Sequence, residues 1–117
     1  MDVPAQVDVE AEILRLSGLA EKVTTALAKR AVQSAECDAA YRSAHARAVL
    51  ASAGTVAERE AAAVIASEAQ YLDRRLAEAK LDAAKEAGRN YRAQLDALRS
   101  INANLRGAIS HAEGVGG

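Results

Sequence analysis

The chain has 117 residues, a formal net charge of −1, 26% charged residues and neither Phe nor Trp. That length allows one domain, and the near-neutral charge supplies no bulk attraction to nucleic acid or to an anionic membrane. With Tyr41, Tyr71 and Tyr91 as the only aromatics, the chain lacks the large side chains that fill a compact globule, so its core is expected to be a thin seam between long helices.

Residues 1–7, with the single proline Pro4, are expected to fray. Asp8 is placed to cap a first helix, with Glu10 and Glu12 in its first turn near the positive end of the helix dipole. Ile13, Leu16, Ala20, Val23 and Leu27, then Ser34, Cys37, Tyr41, Ala44, Ala48 and Ala51, recur at a three-four spacing, with a broken step at Arg30. Gly18 lies inside this pattern and predicts a kink or break, since Gly in a helix costs about 1 kcal/mol relative to Ala.

Gly54 organises the chain. It suits the left-handed conformation just past a helix end, Thr55 can cap the next helix, and Glu58 completes a Thr-x-x-Glu capping box. The reading is therefore a helix over about 8–53, a turn at 54–55, a helix over about 56–110, and flexible ends. The second helix has the apolar sequence Ile65, Ala69, Leu72, Leu76, Ala79, Ala83, Ala87, Tyr91, Leu95, Leu98, Asn102, Leu105 and Ile109. Its four-residue steps between Ala79 and Leu95 predict a stutter, with Gly88 inside it as a second weak point.

Charges give the pairing. If the helices fold back at Gly54, facing residue numbers sum to about 108. That sets Arg47 near Glu60, Arg42 near Glu68, Glu36 near Arg74 and Arg75, Arg30 near Glu78, Lys22 near Glu86, Glu21 near Arg89, and Glu10 and Glu12 near Arg99, all of opposite sign. The expected fold is all-α, a single long antiparallel helical hairpin of coiled-coil type. An Ala-rich seam buries little, and the second helix outruns the first. A homo-oligomer, most simply a dimer forming a helical bundle, is therefore expected through Leu98, Leu105 and Ile109.

Lys85, Arg92, Arg99 and Arg106 recur every seven residues, and with Arg89 they form a basic edge. They are candidate contacts to nucleic-acid phosphates or to a protein partner; the simpler reading is seam-flanking charge answering acids on the first helix. Cys37 and His45 stand about 12 Å apart along a helix, too far to share a metal ion. Neither metal nor cofactor is expected, nor an enzyme, because a thin seam offers no pocket to desolvate paired acids. The lone Cys37 allows no internal disulfide and is consistent with a cytoplasmic setting. Met1-Asp2-Val3-Pro4 shows no signal peptide, and no apolar run approaches the roughly 18 residues of a membrane span.

Two stretches resemble a family of small helical proteins of bacteriophages infecting actinobacteria and related Gram-positive hosts. The first is Tyr41-Arg42-Ser43-Ala44-His45-Ala46-Arg47-Ala48 followed by Gly54-Thr55-Val56-Ala57-Glu58-Arg59-Glu60-Ala61, with Glu60 where the family usually has Lys. The second is Leu98-Arg99-Ser100-Ile101-Asn102-Ala103-Asn104-Leu105-Arg106, without the family's usual Gly before Arg-Ser. The resemblance implies a phage-encoded accessory protein of DNA recombination or replication, in the cytoplasm of a bacterial host, acting through protein contacts or weak DNA contacts. A structural or assembly factor, a scaffold or a host-directed adaptor is the competing expectation.

Overall fold

The structure is a computed structural model and describes residues 5–116. Its elements are α1 (Gln6–Ala51), α2 (Val56–Ala66) and α3 (Glu68–Gly116), with no strand among the described residues. The fold is an all-α helical hairpin, as the sequence indicates. Its bounds differ from the expected ones. α1 starts before Asp8, which lies in the first turn and whose amide donates to the Ala5 carbonyl at 3.0 Å, so Asp8 is not the cap. α3 continues past Ser110 to Gly116, and Gly18 and Gly88 break neither helix. The expected fraying of residues 1–4 and of Gly117 lies outside the described residues.

The chain divides into two compact units, Ala26–Lys85 and a second made of Met1–Thr25 with Glu86–Gly117. The first contains the turn. α1 ends at Ala51, where the Ser52 hydroxyl donates to the Ala48 carbonyl at 2.6 Å. The Val49 carbonyl, in the last turn of α1, accepts from the Ser52 amide at 3.3 Å and from both Nε and Nη2 of Arg59 at 3.2 and 3.1 Å. Gly54 has φ +109°, the only positive φ among the described residues. It sits just before the cap of α2 rather than directly after α1. Thr55 caps α2 by accepting from the Glu58 amide at 3.2 Å. The other half of the expected capping box is not made, because the Glu58 carboxylate folds back over Gly54. Arg59→Ala should cost about 0.5–1.5 kcal/mol, the net range for a hydrogen bond whose acceptor keeps another donor, since the Ser52 amide still reaches the Val49 carbonyl. Chemical denaturation checks this; a loss below about 0.5 kcal/mol would show that water replaces the guanidinium.

In this unit α1 runs antiparallel to α2 and α3. His45 meets Glu60 at 3.3 Å, Tyr41 meets Tyr71 edge-on at 5.6 Å between ring centroids, and Asp38 meets Arg74 at 3.1 Å. Ala63, Ser67 and Ala77 are buried, with Gln70, Arg74, Leu81 and Ala84 half-buried at the intervening three- and four-residue steps. Ser67 separates α2 from α3. Its hydroxyl donates to the Ala63 carbonyl at 2.6 Å and its backbone relaxes to φ −104°, ψ 14°, the local bending that a back-bonding serine produces. A single unbroken helix over 56–110 is thus replaced by two.

In the other unit Val9, Leu16, Leu95 and Asn102 are buried. Ile13, Ala20, Val23, Tyr91, Leu98 and Leu105 are half-buried. Across α2 and α3 the sheltered positions keep one seven-residue phase, with no stutter between Ala79 and Leu95.

The expected register holds to within a few residues, but the expected ion pairs do not form. Charges prefer partners one turn away on their own helix: Arg42 takes Asp38, Arg75 takes Glu78, Arg89 takes Glu86, Arg99 takes Asp96 and Arg15 takes Glu12. Arg74 crosses to Asp38 in place of Glu36, and Glu60 takes His45 in place of Arg47. Local pairs form between side chains already held side by side, whereas cross-helix pairs must order two long side chains for the same small gain.

Candidate functional site

Over residues 62–83 the sheltered side of α2 and α3 has Leu81 as its one large aliphatic side chain, and the opposite side has three. Ile65, Leu72 and Leu76 are 75%, 57% and 50% exposed, and Ala62, Ala69, Ala79 and Ala83 extend their line. The apolar periodicity puts the seam on these residues; the structure puts them outside. The sheltered set lies two positions earlier, about 200° away around the helix. Facing positions in a close helix pair favour small side chains, and Ala63 and Ala77 are 0% and 2% exposed.

The exposed stripe therefore occupies the repeat positions that ordinarily carry polar side chains. On α1 the equivalent positions from 29 to 46 are Lys29, Val32, Glu36, Ala39, Ser43 and Ala46, with one branched apolar residue among them. On α3 beyond Ala83 they are Glu86, Asn90, Ala93, Ala97, Ser100 and Asn104, with none. The apolar back stripe is local to one unit.

Beside it, Val64 and Tyr71 edge an open hollow of about 230 Å³ shared with Tyr41, Ser67 and Glu68. Tyr41 is the hub here: the Arg74 guanidinium lies 5.2 Å from its ring centroid and the His45 ring 5.9 Å away. Arg74 also pairs with Asp38 and Glu78 at 3.1 and 3.2 Å, so this half-buried cation is neutralised where it enters the seam. A second open hollow, about 370 Å³, is lined from α1 alone by Ala28, Lys29, Val32, Gln33 and Glu36.

The basic edge is in place but divided. Lys85, Arg89, Arg92, Arg99 and Arg106 are all exposed on α3. Arg89 and Arg99 are held by Glu86 and Asp96, while Lys85, Arg92 and Arg106 make no ion pair among the described residues. Of the expected oligomer seam, Leu98 and Leu105 are half-buried within their own unit and Ile109 alone is open, at 46%. Cys37 is half-buried and unbridged. The Arg15 guanidinium, hydrogen-bonded to Glu12, holds the Glu12 carboxyl below its usual range, and Glu12 in turn raises Arg15. The Arg15 side chain is exposed and that of Glu12 partly so. Any stability this adds is present at neutral pH and is lost as pH falls through the lowered Glu12 value.

Among the described residues no helix is long and apolar enough to cross a membrane. Compared with protein-family models, with curated proteins and with solved structures, the chain matches none.

Proposed function

We propose that this protein is a non-enzymatic helical interaction module, with the back stripe Ile65, Leu72 and Leu76 as its working surface. The observation that carries this reading is the placement of three large apolar side chains where a hairpin has no use for them. Burying each against a partner contributes about 1.5–3 kcal/mol. The hollow beside the stripe is open, which suits contact with another helix better than capture of a small substrate. The resemblance at Tyr41–Ala48, Gly54–Ala61 and Leu98–Arg106 supplies the setting: an accessory role in phage DNA recombination or replication, in the bacterial cytoplasm, exerted through protein contacts.

The test compares the wild-type chain with an Ile65→Ser, Leu72→Ser, Leu76→Ser variant. Both are cross-linked and purified from phage-infected cells, and both are run in mobility-shift assays with duplex DNA at low and moderate salt. The variant should stay helical and lose its protein associations, and neither chain should retard DNA at moderate salt. Retardation abolished by Arg92→Ala and Arg106→Ala but untouched by the stripe variant would transfer the function to the basic edge.

A further inference from the structure

We infer that the back stripe is covered by a second copy of this chain, docked antiparallel about a two-fold axis near residues 70–71. This rests on the stripe being an interaction surface and adds which partner takes it and in which direction.

The charges flanking the stripe decide the direction. Glu68, Arg75 and Asp82 line one side of it, and Asp73 and Lys80 line the other. A parallel, in-register copy would align Ile65, Leu72 and Leu76 with themselves. It would also bring Glu68 beside the partner's Asp73 and Arg75 beside the partner's Lys80, each twice by symmetry. All four contacts are of like sign and are disfavoured.

In the antiparallel arrangement with facing numbers summing to about 141, Ile65 meets the partner's Leu76. Leu72 meets the partner's Ala69, and Ala62 meets the partner's Ala79. Every layer from 62 to 79 is then apolar, and the Leu72–Ala69 layers set large against small, which lets the axes approach closely. Glu68 falls beside the partner's Arg75, twice, and Asp73 falls beside the partner's uncharged Ala66. Lys80 falls near the partner's Arg59, but that guanidinium is turned into its own chain, with two donors on the Val49 carbonyl.

An antiparallel shift of two turns further along α3 would satisfy more charges, setting Arg75 by the partner's Asp82 and Asp73 by the partner's Lys80. It would also place Ile65, 75% exposed, against the partner's Asn90. Burial of that side chain outweighs exposed ion pairs, which contribute about 0–1 kcal/mol each, so the arrangement centred near 70–71 is preferred.

Two experiments test it. In a Cys37→Ser background, chains carrying Ala62→Cys and chains carrying Ala79→Cys are oxidised separately and mixed. Both are small-for-small changes at exposed sites and leave Ile65, Leu72 and Leu76 intact. A disulfide dimer should form only on mixing. Cross-links within each preparation alone would show a parallel or differently registered pair and overturn the inference, as would a wild-type chain that stays monomeric in sedimentation up to high micromolar concentration.

The second experiment reverses charge. Arg75→Glu sets a new carboxylate against the partner's Glu68 and should weaken the dimer about tenfold, and Glu68→Arg added to it should restore the affinity. The intrachain Arg75–Glu78 contact at 3.2 Å is lost in both variants, so only an intermolecular pair is rescued. A monomeric chain whose stripe variant still loses its protein associations would sink the self-pairing alone; unchanged associations would sink the interaction surface itself.

Discussion

Replacing Leu16 with Ala is expected to lower stability by about 2–4 kcal/mol, within the range for truncating a buried Leu. Leu16 is 2% exposed, and the only other large aliphatic side chains buried in its unit, among the described residues, are Val9 and Leu95. A seam with so few large residues has little with which to fill the gap. The matched control is Leu76→Ala, at a side chain half in solvent: at concentrations low enough to keep the chain monomeric, its effect should stay within about 0.5 kcal/mol. Urea denaturation of both variants gives the comparison. Equal losses would mean that Leu76 is sheltered in the monomer and that the back stripe is not free.

Gly54→Ala should open the hairpin without unfolding the helices. At φ +109° an Ala carries a backbone penalty of about 1–2 kcal/mol, and its Cβ would collide with the Glu58 carboxylate and lie 3.3 Å from the Glu58 Cβ. The least costly escape is for residues 52–55 to become helical, so that α1 runs on into α2 and seeks its antiparallel partner on another chain. Helix content by circular dichroism should hold or rise while assembly becomes concentration-dependent. Labels at residues 13 and 95, which share a unit, should be close within one wild-type chain and separated within one variant chain. Adding Glu58→Ala removes the collision but leaves the positive φ, so it should recover only part of the loss. Unchanged label distances in Gly54→Ala would show that the turn tolerates a Cβ.

Helix class, turn position and register are legible in the sequence because each rests on local chemistry. Gly54 and Thr55 mark the turn by their backbone and capping preferences. The α1 pattern from Ile13 to Ala48 picks out sheltered positions because one apolar face is available there. On α2 and α3 the same reasoning chooses the wrong side over 65–83. Ile65, Leu72 and Leu76 are the most apolar residues on their face, and periodicity alone cannot say which of two apolar faces a partner helix will use. The steady phase of Tyr91, Leu95, Leu98 and Asn102, projected back, does choose correctly and reaches Ala63, Ser67, Ala77 and Ala84. The Arg59 clasp on Val49 and the Ser67 bend are not legible, since both depend on where a side chain finds a carbonyl after the helices have formed. The ion pairs are misassigned because neighbours on one helix meet before the helices do.

The two-faced character of residues 62–83 also poses a search problem to the newly made chain. As α1 first collapses onto this segment it meets two surfaces on opposite sides of one cylinder, and the more greasy of them is the incorrect one. A molecule caught there must detach and roll α3 through about half a revolution before Tyr41 can reach Tyr71 and Arg74 can reach Asp38. Ser substitutions at Leu72 and Leu76, which remove the decoy and leave the native seam intact, should therefore speed refolding in stopped-flow measurements even as they cost the assembled protein its stability.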